Sequence, residues 1–204
     1  MGKIYYMMGK SSSGKDTLYK EVLKALPKLK TLVLYTTRPI REGEQEGIEY
    51  HFVTDEELER FEKAGKIIEE RTYDTVYGAW KYATIEDGQI NLAAYDYLVI
   101  GTLESYAGMK KCYGAENLVP IYIEVEDGER LSRALSRERL MRAIARERQQ
   151  EHPGYEEVCR RFLADQKDFS EENLEEAGIV RRYYNDDKVQ CLEKIIGEIQ
   201  NGKF

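Results

Sequence analysis

Ile4-Tyr5-Tyr6-Met7-Met8-Gly9-Lys10-Ser11-Ser12-Ser13-Gly14-Lys15-Asp16-Thr17 is a short apolar run that ends in small residues and a lysine, and the amphipathic stretch Leu18 to Leu26 follows directly. The order reads as strand, phosphate loop, helix. Small residues between a strand end and a helix start let successive backbone N–H groups turn inward on a phosphate, while the helix dipole and the Lys15 ammonium add positive potential. The spacing G-x-x-x-x-G-K is that of a nucleoside triphosphate loop, so Gly9, Lys10, Ser11, Ser12, Ser13, Gly14, Lys15, Asp16 and Thr17 form the expected donor cradle. One position departs from the pattern: Asp16 stands where a Ser or Thr is usual, with Thr17 one place later.

Outward from the loop, Leu18, Val22, Ala25 and Leu26 share a helical face that Pro27 ends. Thr31-Leu32-Val33-Leu34, Tyr97-Leu98-Val99-Ile100 and Ile121-Tyr122-Ile123 read as buried strands, with Ile179-Val180 a weaker fourth, and together they predict a parallel sheet. A last helix carries Val189, Leu192, Ile195, Ile196 and Ile199 on one face, behind Asp186-Asp187 as its cap. Two stretches do not read as core. Between Arg38 and Tyr82 the chain is polar and tyrosine-rich, with one short helix announced by the capping box Thr54-x-x-Glu57, faced by Leu58 and Phe61 and stopped at Gly65. From Glu129 to Glu151 a charged helical stretch carries arginines at 130, 133, 137, 139, 142, 146 and 148, then breaks at His152-Pro153-Gly154.

With 204 residues, the chain suits a single folding unit with a sizeable core. Its 31 Lys and Arg against 38 Asp and Glu give a net charge of −7, which argues against long-range attraction to nucleic acid or an anionic membrane. Cys112, Cys159 and Cys191 are odd in number and widely spaced, so neither a disulfide framework nor a cysteine metal site is expected. No apolar leader or bilayer-length segment is evident, and the expected setting is the cytoplasm.

Behind the phosphate loop come Thr36-Thr37-Arg38-x-x-Arg41-x-Gly43-Glu44, then Gly47-x-x-Tyr50-x-Phe52-Val53, Ile68-Glu69 and Tyr77-Gly78, and later Arg160-Arg161 and Asn185-Asp186-Asp187. This series resembles the guanylate kinases. The resemblance implies an α/β P-loop fold of three layers around a central parallel sheet, with an inserted monophosphate-binding subdomain and a helical lid. On this chain the core would be residues 1–33, 84–128 and 155–204, the acceptor-binding insertion 34–83 and the lid 129–154. The implied reaction moves the γ-phosphoryl of ATP to GMP, with Mg2+ as cofactor, in a monomer or homodimer acting on small-molecule nucleotides.

Such a transfer needs alignment and neutralisation of charge more than a covalent catalyst. Arg38 and Arg41 sit on a short polar segment able to fork onto a monophosphate, and the Tyr50 and Tyr77 hydroxyls can donate to the same oxygens. In the resemblance the Glu69 carboxylate accepts from the guanine ring N–H and 2-amino group, and Asn185 lies near the donor adenine, although Asn-Asp-Asp before a helix is equally a capping sequence. The expected catalytic set is Lys15, Arg38, Arg146, Arg148 and Arg161, with Arg146 and Arg148 preferred over Arg137. Asp16 and Thr17 are the expected metal ligands.

The chain also departs from the family pattern. Leu34 and Ala79 replace serines, and Ile100-Gly101-Thr102-Leu103-Glu104 replaces a strand-end Asp-x-Asp, leaving Glu104 as the nearby carboxylate for the acceptor. These losses keep two alternatives open: a kinase of the same fold acting on another phosphorylated acceptor such as a sugar phosphate, and a catalytically weak binding module.

Overall fold

The computed structural model describes residues 2–41, 43–75, 78–147 and 154–202. Strand β1 (Ile4–Met8) leads through the phosphate loop into helix α1 (Lys15–Ala25). There follow β2 (Leu34–Thr36), β3 (Tyr50–Phe52), α2 (Asp55–Lys63), β4 (Ile67–Thr75), β5 (Gly78–Ile85), β6 (Tyr97–Ile100) and α3 (Leu103–Tyr113). The chain closes with β7 (Leu118–Glu124), α4 (Asp127–Glu147), α5 (Tyr155–Asp168), α6 (Glu171–Ala177), β8 (Arg182–Tyr184) and α7 (Lys188–Asn201).

The central sheet has the order β6-β1-β7-β8, with β8 parallel to β7. Every residue of β1 is buried, and β6 and β7 are nearly so. This is the continuous apolar signature of a parallel sheet covered on both faces. A second, mixed sheet has the order β3-β2-β5-β4, built on a long β4–β5 hairpin and a parallel β2–β3 pair. By Cα packing the chain divides into two compact units, one of residues 1–5, 28–99 and 104–119, the other of 6–27, 100–103 and 120–204.

In the first unit, helix α2 starts on the predicted capping box: the Thr54 hydroxyl accepts from the Glu57 amide, and the Glu57 carboxylate accepts from the Thr54 amide. Its buried Leu58 packs with Tyr35, Ala83 and Ile85 on one face of the mixed sheet, flanked by Val53, Phe61 and Ile67. In the second unit, α7 is capped by Asp187, whose carboxylate accepts from the amides of Val189 and Gln190, and it buries Cys191 and Ile195.

Several expectations from the sequence are corrected. The run Thr31–Leu34 adds no strand to the central sheet: the strand spans Leu34–Thr36 and joins the mixed one. Gln89 intervenes, since its side-chain amide accepts from the Val33 N–H and donates to the Val33 carbonyl, occupying both backbone groups that a ladder would use. Ile179-Val180 is no strand either. Gly178 adopts a left-handed conformation, the Ile179 amide donates back to the Leu174 carbonyl to close α6, and the strand begins only at Arg182. Ala25 and Val189, assigned to apolar faces, are both exposed. The polar, tyrosine-rich region around the expected short helix contains β3, β4 and most of β5 as well. Among the described residues no helix is long and apolar enough to cross a membrane.

Candidate active site

The phosphate loop belongs to the second unit. Gly14 is the left-handed N-cap of α1 (φ 85°); the Thr17 amide donates to its carbonyl, and it has no side chain to satisfy the amides of Lys15 and Asp16, which head the helix toward an anion. Ser12 also holds a positive φ of 63°, a conformation that costs a non-glycine residue energy and is kept where the surroundings enforce it. A Cβ on Gly9 would come within 2.5 Å of the Ile123 carbonyl, so only glycine lets the loop leave β1 against β7. Lys15 is the first residue of α1, with its ammonium 3.8 Å from the Asp16 carboxylate; Asp16 and Thr17 are exposed.

Asn185, just past β8, is buried and ties the loop from behind. Its side-chain amide donates to the Ser13 carbonyl at 2.7 Å, and its backbone N–H donates to the Glu124 carbonyl. The capping alternative for Asn185 therefore does not hold, because Asp187 caps α7. The Asn185 Oδ1 and Ser13 Oγ atoms are buried and have no hydrogen-bond partner among the described residues.

Helices α4 and α5 reach the same loop through arginine and carboxylate groups. Arg130 is almost fully buried; it donates to Asp127 through Nε and Nη2, and through Nη1 to the Ser11 carbonyl and to Asp165. Asp165 accepts from the Ser11 amide at 2.8 Å, and the Phe162 ring lies under the Arg130 guanidinium. Lys10 donates to Gln166, which donates in turn to Asp127. Arg137 donates to the Ser12 hydroxyl at 3.2 Å and Arg133 to the Asn185 carbonyl.

Arg137, over which the sequence favours Arg146 and Arg148, thus reaches the loop together with Arg130. Arg146 lies nine residues further along α4, about 14 Å at 1.5 Å per residue. It is exposed there. Arg161 is exposed and paired with Glu157 on its own helix. Arg148 lies outside the described residues. A cleft of about 620 Å³ opens beside Lys10 and Arg130, lined by Glu124, Glu126, Asp127 and Asp186.

In the first unit, the face of the mixed sheet turned away from α2 carries the acceptor candidates. Cross-strand register sets Glu69 opposite Thr84, Arg71 opposite Tyr82 and Tyr73 opposite Trp80, and Thr36 continues the Tyr82 row on β2. One further step along β2 places Leu34 in the row of Thr84 and Glu69, while Ala79 falls on the alternate face with Ala83 and Ile85. Arg38 is buried, with its guanidinium over the rings of Tyr50 and Phe52 at 5.1 and 5.4 Å. Its two prongs donate to Glu44 at 2.8 and 2.6 Å, and this contact holds the Glu44 carboxyl down to about 2. Arg41 is exposed, and its backbone amide also donates to Glu44. Burial raises the Tyr50 hydroxyl above the usual phenol range. Tyr77 lies outside the described residues.

Glu69 is recessed, and its carboxylate accepts from the Thr84 hydroxyl and lies 2.5 Å from Arg71 Nε. Burial raises the Glu69 carboxyl above the ordinary range even though the neighbouring Arg71 charge pulls it down. Glu104, at the start of α3, reaches the same arginine at 3.3 Å. The helix sits tightly on β4, since a Cβ on Gly108 would come within 2.9 Å of the Ile68 carbonyl.

The sequence reading missed Arg71, Tyr82 and Thr84 here, and Arg130, Asp127, Asp165 and Gln166 at the loop. Two-residue alternation through Glu69-x-Arg71 and Tyr82-x-Thr84 was the available signal for the first group. For the second, Asp127 and Arg130 stand at helical i, i+3 spacing, while Asp165 has no local signal at all.

Known proteins place this architecture. The guanylate kinase family model matches residues 1–139. A guanylate kinase of Neisseria gonorrhoeae is 39% identical over 99 residues, covering 48% of this chain and 46% of that protein. One of Frankia casuarinae is 46% identical over 63 residues, covering 31% and 34%. The chain thus matches about half or less of the length of these curated relatives. A crystal structure of guanylate kinase from Anaplasma phagocytophilum superposes with a TM-score of 0.64 at 20% identity, covering 100% of this chain and 87% of that one, which shows a shared fold. With the family model spanning two thirds of its residues, from the phosphate loop through the acceptor face into α4, this chain belongs to the guanylate kinase family.

Proposed function

We propose that the chain transfers the γ-phosphoryl group of ATP to a nucleoside monophosphate, converting GMP to GDP. The observation that carries this reading is the phosphate loop: a helix N-terminus that Gly14 leaves without a side-chain cap, Lys15 at the head of α1, and Asn185 bracing Ser13. Lys15 and the loop amides bind the donor phosphates and take up the negative charge that spreads over their oxygens as the bond to the leaving oxygen breaks. Arg137, on the Ser12 hydroxyl, adds positive charge at the same place.

On the acceptor face Arg38 offers a planar fork, with the Tyr50 hydroxyl as a further donor. Its present partner Glu44 occupies both prongs where the phosphate oxygens would sit, so the fork is already oriented and the acceptor takes the place of that carboxylate. Glu69 accepts from the guanine N1–H and 2-amino group, a pair that adenine does not offer. Asp16 and Thr17 are exposed oxygen ligands beside Lys15, a donor set that fits a magnesium ion carried mainly by triphosphate and water oxygens. Held there, such an ion would supply neutralisation of the charge on the donor phosphates. This reading places the chain in the cytoplasm, acting on small nucleotides and not on nucleic acid, in keeping with its net charge of −7.

The test is a phosphoryl-transfer assay with ATP and magnesium against GMP, dGMP, IMP, AMP, UMP and ribose phosphates. Turnover of GMP and dGMP above the others is expected. Turnover confined to a ribose phosphate, or none with any acceptor, overturns the reading.

A further inference from the structure

Arg71 stands two residues past Glu69 on β4, so both side chains leave the same face of the mixed sheet. Its guanidinium has partners in Glu69, Glu104 and the Tyr73 hydroxyl on the same strand. Nε lies against the Glu69 carboxylate and, from the solvent side, against the exposed Glu104. Nη2 is buried and has no hydrogen-bond partner among the described residues. A buried donor on an ionised group is costly to leave unpaired, and arginine has no acceptor character with which to satisfy itself elsewhere. In the neighbouring row Leu34 brings a hydrocarbon where the family resemblance has a serine hydroxyl, so this part of the face has lost one donor and holds another that is unspent.

We propose that Arg71 is a specificity-determining residue that reads the 6-oxo edge of the acceptor base while Glu69 reads the adjoining N1–H and 2-amino group. The assignment rests on the guanine-nucleotide reading above. An arginine fork matches the O6 and N7 acceptors of guanine, and a donor beside an acceptor on one strand is the complement of the 6-oxo-2-amino edge. Adenine turns a 6-amino donor toward Arg71 and is rejected by both residues. The same arginine explains how the face keeps a base-reading donor although Leu34 has none and Ala79 falls on the alternate face.

The experiment separates binding from turnover. Dissociation constants for GMP and 6-thio-GMP are measured by calorimetry on the full chain, because the thio analogue keeps N1–H and the 2-amino group and weakens only the 6-position acceptor. Wild type is expected to prefer GMP by about tenfold or more, the scale of one charge-assisted hydrogen bond. Arg71→Met should bring that ratio close to one, Arg71→Lys should retain part of it, and Glu69→Gln should weaken both ligands while leaving the ratio in place. A purely structural arginine would move both affinities together and leave the ratio untouched, which would sink the assignment. So would a wild type that does not distinguish the two ligands, a result that stands whether or not Arg71→Met folds. Absence of turnover with every monophosphate overturns the kinase reading alone, since the ratio is read from binding.

Discussion

Arg38 and Glu44 form a two-pronged ion pair, at 2.8 and 2.6 Å, with the guanidinium buried over two aromatic rings and the carboxylate held down to about 2. Because the folded carboxyl titrates below its ordinary value of 4.5, the pair contributes stability that is fully present above pH 4.5 and is lost as pH falls toward about 2. Glu44→Gln should therefore lower the melting temperature at pH 7, with the gap to wild type narrowing between pH 4.5 and 2. A gap independent of pH would show that the charge of Glu44 does not stabilise the fold.

Lys15→Ala should reduce kcat/KM by about a hundredfold or more, the scale of removing a charge-stabilising group from a transfer reaction. Its melting temperature should stay close to that of wild type, because Lys15 lies outside the apolar core. Kinetics with saturating acceptor, together with a thermal melt, check both halves.

Arg130→Met should destabilise the chain by about 3–5 kcal/mol, because it leaves Asp127 and Asp165 without the buried cation they share. The Ser11 carbonyl loses its donor as well, so KM for ATP should rise more than KM for the acceptor. Denaturant unfolding and the two KM values test this; equal changes in the two would detach Arg130 from the donor loop.

Asp16→Asn should raise the magnesium concentration needed for half-maximal rate, since one negatively charged oxygen ligand is replaced by a neutral one. Asp16→Ser, which restores the common hydroxyl at that position, should bring the requirement back toward or below that of wild type. An unchanged magnesium dependence in both variants would leave Thr17 as the ligand.

What was legible in the sequence was local. The phosphate loop shows in its own residue spacing, and the Thr54–Glu57 capping box and the Asp187 cap are short-range devices whose hydrogen bonds close within a few residues. Strands β4 and β5 were illegible because Glu69, Arg71, Tyr73 and Lys81 fill positions where a half-buried strand usually shows its apolar alternation. The apolar run Thr31–Leu34 misled in the opposite sense: the buried residues are Tyr35 and Thr36, and Gln89, 56 positions from Val33, takes the backbone groups of the apolar stretch. The choice of Arg146 over Arg137 turned on a helix whose charges look alike along its whole length, and only the contact with Ser12 separates them. Asp165 and Asn185 act across 154 and 172 positions, distances over which no spacing rule operates.

The bond from Asn185 to Ser13 orders events in time as well as in space. The turn between strand β1 and helix α1 is braced by a residue 172 positions further along the chain, which leaves the ribosome well after both. The donor cradle is therefore completed only when β8 has paired with β7, which makes its closure a late, long-range event in folding. A nascent chain that has not yet reached Asn185 has the loop's full sequence without its brace, so phosphate affinity at the loop becomes a report on whether β8 has docked.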